Sequence, residues 1–168
     1  MKSSNLLNLG NPRKVKENRS PILKQDALDA IEAEIERHSV ELCGLGFQHY
    51  RFAVKLPRQH WRQRVSRLYY AAYAVSRALR LYVWGEYSAE AKDHQRIGHL
   101  PDDFPGKARL ANQLPVLRED RNTCDYDHAS RAVDLLIPTS DAVQLVREFL
   151  AETKSYLKAK GLEIRGGP

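Results

Sequence analysis

The chain has 168 residues, of which 42% are hydrophobic and 29% charged, a balance typical of a folded globular domain and not of a disordered chain. Its formal net charge is +6, and its two cysteines are too few for a disulfide framework. No apolar run approaches the roughly 20 residues of a membrane-spanning helix, and the N-terminus lacks a signal-peptide pattern. We therefore expect a cytoplasmic protein with reduced cysteines and no membrane partner.

The two ends of the chain differ in pattern from its middle. Residues 1–20 hold five basic residues and one acidic residue, and they show no sustained hydrophobic period. We predict a flexible basic N-terminal tail over these residues, a helical domain over residues 21–160 and a C-terminal tail over residues 161–168.

The first predicted helix covers residues 25–42, where apolar side chains recur at helical spacing. Gly44 and Gly46 follow, and glycines commonly come directly after a helix end. Residues 47–56 fit either a short helix or a strand. Because we find no second segment that could pair with a strand, we prefer the helix.

The second predicted helix, residues 59–87, has the strongest pattern in the chain. Its apolar seam consists of Trp61, Val65, Leu68, Ala72, Val75, Leu79 and Tyr82. Alanines beside the seam predict that a neighbouring helix approaches closely. Three tyrosines, Tyr69, Tyr70 and Tyr73, crowd its middle, and we interpret them as core residues with their hydroxyls at the edge.

The later part of the chain predicts two more helices. Between them and the second helix, His94 and His99 have no third metal ligand nearby, so we interpret them as loop histidines. A helix starts near Pro105, contains Pro115 and continues to Arg121, and residues 125–127 could end it. The last helix covers residues 140–160. The sequence thus predicts an all-α, up-and-down helical bundle of about four to five main helices.

Charge is segregated along these helices. Residues 26–41 contain six acidic residues and one basic residue, whereas residues 42–85 contain eight basic residues and no acidic one. Such a basic surface suits a phosphate backbone. The candidate RNA-binding residues on it are Arg62, Arg64 and Arg67. The alternative is that the acidic and basic segments neutralise one another inside the fold.

A candidate catalytic constellation comprises Arg121, Asn122 and His128. Arg121 continues an apolar line, where a permanent charge must meet an acceptor or a wet cleft. In a continuous helix, His128 would return to nearly the same face. Histidine and arginine suit phosphodiester cleavage without a metal, because an imidazole transfers protons near neutral pH and a guanidinium holds the anionic phosphorane. The alternative is that Arg121 pairs with Asp125 and His128 lies on the surface.

Other chemistry has no sequence support. There is no glycine-rich phosphate loop, no His-Glu-x-x-His and no Cys-x-x-Cys motif. We therefore expect neither a metal nor a cofactor.

Two segments resemble the HEPN family. Residues 66–72, Ser-Arg-Leu-Tyr-Tyr-Ala-Ala, resemble its Ser-Arg-x-Tyr-Tyr-Ala-Ala helix, and residues 114–127 resemble its later helix, in which an Arg and a polar residue precede Ala-Asp-Tyr. The family's catalytic signature is Arg, a polar residue, and a His after four to six intervening residues. Arg121, Asn122 and His128 match it, and the resemblance covers roughly residues 25–158.

The resemblance implies an up-and-down helical bundle, usually a homodimer in which the Arg and His of both chains meet. For active members it implies metal-independent RNA cleavage, often by the toxin of a toxin–antitoxin pair. In this chain, His128 would transfer the proton, Arg121 would stabilise the phosphorane, and Asn122 would position one of them.

The alternative hypothesis is a non-catalytic HEPN module. Such a module binds a nucleotidyltransferase-like partner, a cognate antitoxin, or RNA that it does not cut. An imidazole of His128 that is buried against its own chain, or turned away from Arg121, favours the module. A helical bundle with an unrelated role is the third hypothesis.

Overall fold

The computed structural model describes residues 9–88 and 90–168. Over these ranges all regular secondary structure is helical, and there is no strand. The α-helices bounded within them are α1 (Pro12–Arg19), α2 (Gln25–Lys55), α3 (Trp61–Trp84), α4 (Lys107–Tyr126) and α5 (Thr139–Ala159). Three short 3-10 helices are Arg58–His60, Ala91–Arg96 and Ala132–Asp134. The predicted all-α bundle is confirmed, and no helix in the described ranges is long and apolar enough to cross a membrane.

The predicted seam of α3 is its buried face. Every seam residue from Val65 to Tyr82 is buried, and α2, α4 and α5 all pack against α3. Burial of each large apolar side chain contributes about 1.5–3 kcal/mol to the free energy of unfolding. Because three other helices pack on its buried face, α3 is the centre of the hydrophobic core.

Side-chain contacts give the relative direction of α2 and α3. Phe52 of α2 lies near Arg67, whereas His49, one turn earlier in α2, lies near Tyr70, one turn later in α3. The two helices are therefore antiparallel, as the short connection between them requires.

The contacts of α3 with α4 and α5 complete the arrangement. Arg62, at the start of α3, bonds to the backbone of Cys124 near the end of α4, so these helices are antiparallel. Tyr82, near the end of α3, donates a hydrogen bond of 3.0 Å to the carbonyl of Lys160, directly after α5, so α3 and α5 are parallel. The four long helices thus alternate in direction.

The predicted end of the first long helix at Gly44 and Gly46 is wrong, because α2 continues through both glycines to Lys55. The reason is close helix packing. A Cβ atom on Gly46 would lie 2.5 Å from Cγ2 of Val75 and 2.8 Å from the carbonyl oxygen of Ala71. Gly46 lets α2 and α3 approach closely, and this contact offsets the low helix propensity of glycine.

The predicted flexible tail contains a helix. Although residues 1–8 lie outside the described residues, Pro12–Arg19 forms α1, which packs on α2 and is hydrogen-bonded to the end of α3. The guanidinium of Arg13 lies 3.3 Å from the carboxylate of Glu32, and the Arg13 Nε donates to the carbonyl of Tyr82. The lack of a hydrophobic period concealed this helix, because polar bonds attach it to the bundle.

Other predicted boundaries differ only slightly. The preference for helix over strand in residues 47–56 is confirmed, and α5 begins one residue before the predicted start. α3 ends at Trp84, before the predicted residue 87. Gly85, directly after it, has a left-handed φ of 67°, and its N–H bonds to the carbonyl of Leu81.

The contact at Gly46 yields a stability prediction. We expect Gly46→Ala to lower the free energy of unfolding by about 1–3 kcal/mol, because the new methyl group overpacks the α2–α3 contact. The matched control is Gly44→Ala, which adds a methyl group with nothing within 4 Å and should raise stability by about 0.5–1 kcal/mol. Urea unfolding followed by circular dichroism measures both. Equal stability of the two variants would contradict the proposed close approach.

Candidate functional site

Arg121 lies on the side of α4 that meets α3, and its guanidinium is contacted on several sides. Its Nε lies 2.8 Å from Oδ2 of Asp125. One terminal nitrogen donates to Oδ1 of Asn122 (3.2 Å), and the other donates to the hydroxyl of Tyr70. The guanidinium also lies 5.5 Å from the ring centroid of Tyr126. The charge that interrupts the apolar line therefore has acceptors, and Asp125 is among them.

His94 belongs to an aromatic cluster beside Arg121. Its imidazole stacks on the ring of Tyr73, with the centroids 4.0 Å apart, and its Nδ1 lies 2.5 Å from the hydroxyl oxygen of Tyr69. The Arg121 guanidinium lies 5.6 Å from the ring centroid of Tyr69. The Tyr70 ring meets both Tyr69 and His94 edge-on. We call Tyr69, Tyr70, Tyr73, His94 and Arg121 the Arg121 cluster.

A buried ion pair positions the segment that carries His94. The guanidinium of Arg80 donates two hydrogen bonds, of 2.8 and 2.9 Å, to the carboxylate of Asp93. Tyr73 donates a third to the same carboxylate. Burial alone would raise the pKa of Asp93, but the hydrogen bonds and charge of Arg80 lower it. Because Asp93 is adjacent to His94, this pair fixes the position of the imidazole.

The electrostatics of the cluster favour neutral ring side chains beside a cation. Burial, followed by the positive charge of Arg121, lowers the pKa of His94. Burial raises the pKa of Tyr73 to about 12 and also raises the pKa of Tyr69. At neutral pH the cluster therefore combines an uncharged imidazole, uncharged phenols and one guanidinium.

The structure joins Asn122 to Arg121 but leaves His128 apart from both. Because α4 ends at Tyr126, His128 lies in the following loop, and the continuous helix that the spacing argument assumes does not exist. His128 is exposed, and within residues 9–88 and 90–168 its imidazole has no hydrogen bond, ion pair or ring contact. This arrangement, with Arg121 paired to Asp125, is the alternative that the sequence left open.

Arg62 caps the C-terminal end of α4. Its guanidinium donates hydrogen bonds of 2.5–3.3 Å to the carbonyl oxygens of Thr123, Cys124, Asp127, His128 and Ser130. The last turn of a helix leaves its carbonyls without intrahelical partners, and the five N–H groups of a guanidinium can satisfy them. A phosphate would have to replace these bonds, so the Arg62 guanidinium is used by the fold and is not available to an RNA backbone.

Asp120 anchors the other end of the same loop. Its buried carboxylate accepts hydrogen bonds from the N–H groups of Leu136 (2.7 Å) and Ile137 (2.8 Å). Burial raises the pKa of Asp120. The segment that contains His128 is therefore attached to the bundle by Arg62 at its start and by Asp120 at its end.

The two other predicted RNA-binding residues have different surroundings. A terminal nitrogen of Arg64 lies 3.4 Å from the carbonyl of Val54, and the side chain lines a cavity of about 890 Å³. Arg67 is exposed. Its guanidinium lies 5.6 Å from the ring centroid of Phe52 and 3.5 Å from Nδ1 of His49.

A continuous row of aromatic and basic side chains crosses α2, α3 and α4. We define the aromatic–arginine strip, in order of contact, as Phe52, Arg67, His49, Tyr70, Arg121 and Tyr126. Its two end residues face solvent, because Phe52 is 52% exposed and Tyr126 is 72% exposed. A cavity of about 310 Å³ lies beside Phe52.

The sequence interpretation of His94 as a loop histidine missed its place in the cluster. No local spacing relates His94 to Arg121, 27 positions later, so only the packing of α3 and α4 against the 3-10 helix brings them together. The one available signal was the group of tyrosines on α3, whose hydroxyls need partners when buried.

Comparison with known proteins adds no family assignment. No family model, no curated protein and no solved structure matches this chain. The resemblance to the HEPN family therefore stays a prediction. In the described part of the chain, no three His, Cys, Asp or Glu side chains converge into a possible metal site.

The cap formed by Arg62 can be tested directly. We expect Arg62→Lys to lower the free energy of unfolding by about 2 kcal/mol, because one ammonium group cannot serve five carbonyl oxygens. The control is Arg58→Lys, since Arg58 is exposed and should change stability by less than about 0.5 kcal/mol. Thermal and urea unfolding measure both variants. If Arg62→Lys is as stable as the parent, the capping role is wrong.

Proposed function

We propose that this chain is a HEPN-type helical domain that binds single-stranded RNA along the aromatic–arginine strip. The observation that carries this proposal is the unbroken sequence of contacts from Phe52 to Tyr126, in which four aromatic rings are interspersed with the guanidinium groups of Arg67 and Arg121. Single-stranded nucleic acids bind such surfaces because bases stack on aromatic rings while cations contact the phosphates.

The distribution of charge supports the strip, rather than the rest of the basic segment, as the RNA-binding surface. The guanidinium of Arg62 is used for capping, and that of Arg80 is buried against Asp93. Arg67 is exposed, and within the described ranges no carboxylate lies within ion-pair distance of it. Arg67 is therefore the basic-segment residue of the strip that can contact a phosphate directly, whereas Arg121, further along the strip, would have to exchange its pairing with Asp125 for a phosphate.

The acidic residues of α2 do not neutralise the positive charge of the strip. Glu32 pairs with Arg13 and Lys16 of α1, and Glu41 pairs with Arg37 of α2 itself. These pairs neutralise charge within α1 and α2, so they leave the strip positively charged.

Removing the Phe52 ring should weaken RNA binding. Base–aromatic stacking contributes about 1–3 kcal/mol per base, so we expect Phe52→Ala to raise the Kd for a labelled single-stranded RNA by roughly 10-fold or more. Fluorescence anisotropy measures this Kd. Ile22→Ala is the control, because Ile22 is 70% exposed and lies outside the strip.

Arg67 provides the electrostatic half of the same test. We expect Arg67→Gln to weaken binding and to reduce the slope of log K against log salt by about 1, since one phosphate contact is lost. Arg131→Gln removes an exposed cation outside the strip and serves as the control. Unchanged RNA affinity in both strip variants, with loss of self-association in sedimentation, would instead identify the strip as a homodimer interface.

A metal-independent endoribonuclease is the second candidate function, and it is favoured because Arg121 belongs both to the strip and to the Arg121 cluster, which contains the imidazole of His94. In this candidate Arg121 stabilises the phosphorane. The assignment of His128 as the proton-transfer residue stays a prediction, because its side chain does not contact Arg121 in the described chain. The toxin role and an antitoxin or nucleotidyltransferase-like partner also stay predictions from the resemblance.

Cleavage of single-stranded RNA in the presence of a chelator tests this candidate. We expect the parent to form 2′,3′-cyclic phosphate ends and Arg121→Gln to cut about 10²–10³-fold more slowly, because a preorganised donor to the phosphorane is lost. Arg131→Gln is again the control. A parallel His128→Ala reaction tests the sequence-predicted base, and equal rates for parent and Arg121→Gln would exclude this mechanism.

A further inference from the structure

We infer that the cavity between the start of α3 and the start of α5 binds a small organic acid, that is, a carboxylate attached to an apolar body. This binding goes beyond the proposed function and uses none of the residues of the aromatic–arginine strip. The observation that carries the inference is a cavity of about 890 Å³ that combines apolar walls with the guanidinium groups of Arg58 and Arg64, neither of which has a carboxylate partner in the described chain. We call it the Arg64 cavity.

Three segments of the chain form the walls of the Arg64 cavity. They are the start of α3 with the short helix before it, the segment 132–138, and the first turns of α5. The segment 132–138 is held in place, because the buried carboxylate of Asp120 accepts hydrogen bonds from the N–H groups of Leu136 and Ile137. The cavity is therefore preformed, and its volume lies within the range of roughly 300–1,000 Å³ that is typical of small-molecule sites.

The apolar part of the lining suits the body of such a ligand. Trp61, Val133, Leu135 and Val143 line the cavity, and Val133 is 78% exposed. Contact between water and an apolar surface is unfavourable, so a ring system or a short alkyl chain that covers these side chains is stabilised there. A phosphate group gains nothing from apolar contact, and these walls therefore favour an organic acid over a nucleic-acid backbone.

The basic part of the lining supplies the partner for a carboxylate. One terminal nitrogen of Arg64 lies 3.4 Å from the carbonyl of Val54, and its Nε is buried without a hydrogen-bond partner among residues 9–88 and 90–168. Arg58 is exposed. A guanidinium binds a carboxylate through two parallel hydrogen bonds, and the fold leaves donors of both side chains unused.

The start of α5 adds to the preference for an anion. Thr139 and Ser140 line the cavity, and their N–H groups have no acceptor in the part of the chain that the structure describes. Unpaired N–H groups at the start of a helix favour negative charge. The carboxylate of Asp141 accepts a hydrogen bond of 3.1 Å from the Ser140 hydroxyl, and Asp141 is not among the lining residues. The anionic end of the ligand is therefore expected beside Arg64, with the apolar body over Trp61.

The test is a fluorescence titration of the full chain with anilinonaphthalene sulfonate, a ring system that carries a single anionic group. We expect the parent to bind this probe saturably and to release it when naphthalene carboxylate is added. Naphthalene methanol, which has the same rings without the charge, should displace the probe far less well. In a Trp84→Phe background Trp61 is the remaining tryptophan of the chain, so energy transfer from Trp61 reports a probe in the cavity.

Two substitutions in the lining test the site. Val133→Glu adds a negative charge at an exposed position, and we expect it to bind naphthalene carboxylate roughly 10-fold more weakly than Val133→Gln, which has nearly the same shape without the charge. Arg64→Gln should weaken binding roughly 10-fold or more, because a charge-assisted hydrogen bond is lost. Arg67→Gln, one turn later on α3 and outside the cavity, is the matched control and should bind the acid as the parent does.

The outcomes separate this inference from the proposed RNA binding. A parent that does not bind the probe, or equal affinities of Val133→Glu and Val133→Gln for the acid, would overturn the inference and leave RNA binding untouched. Displacement of the probe by single-stranded RNA, with weaker RNA binding to Val133→Glu than to Val133→Gln, would also overturn it, because the cavity would then belong to the RNA surface. Acid binding by a chain that does not bind RNA would support the inference and refute the proposed function.

Discussion

The close contact between α2 and α3 at Gly46 determines where the other elements lie, because α3 is also the surface on which α4 and α5 pack. Because Gly46 has no side chain, the backbone of Ala71 and the side chain of Val75 occupy the space that a methyl group on residue 46 would fill. An apolar seam along α3 then buries its residues against three neighbours. Dense packing of this kind transmits the position of one helix to the next, since cores have few voids in which to adjust.

Polar side chains on the flanks of α3 connect this core to the irregular segments. Arg62 caps α4 and attaches the loop that follows it, whereas Arg80 pairs with Asp93 and fixes the 3-10 helix that carries His94. In both cases a guanidinium satisfies several acceptors at once, which a hydrated ammonium group does less well. Part of the basic segment thus serves the fold, and this use removes those residues from the set available to an external phosphate.

The proposed site combines the exposed Arg67 with the more buried Arg121, whose side chain is 15% exposed. Arg67 and Arg121 lie between the exposed rings of Phe52 and Tyr126, and the Arg121 cluster places an uncharged imidazole beside the same strip. The RNA binding that we propose depends on the strip alone, whereas the proposed cleavage also requires a proton acceptor within reach of the bound backbone. The two proposed functions therefore use overlapping residues but make separate demands on geometry, and they can be separated experimentally.

The sequence by itself determined the all-α class, the buried seam of α3 and the approximate course of α4 and α5. These features depend on local periodicity, which each segment carries independently. It also singled out Arg121 as a charge in need of acceptors, and it left open the pairing with Asp125 that the structure contains.

Tertiary structure decided the features that depend on neighbours distant in sequence. Gly46 lies within a helix because α3 packs against it, and Pro12–Arg19 is helical and attached because polar side chains bond to α2 and α3. His94 joins Arg121 only because both meet Tyr69, while His128 is separated from Arg121 by the end of α4. A spacing along the chain defines a face only while the helix continues, and it cannot show which residues of other segments meet that face.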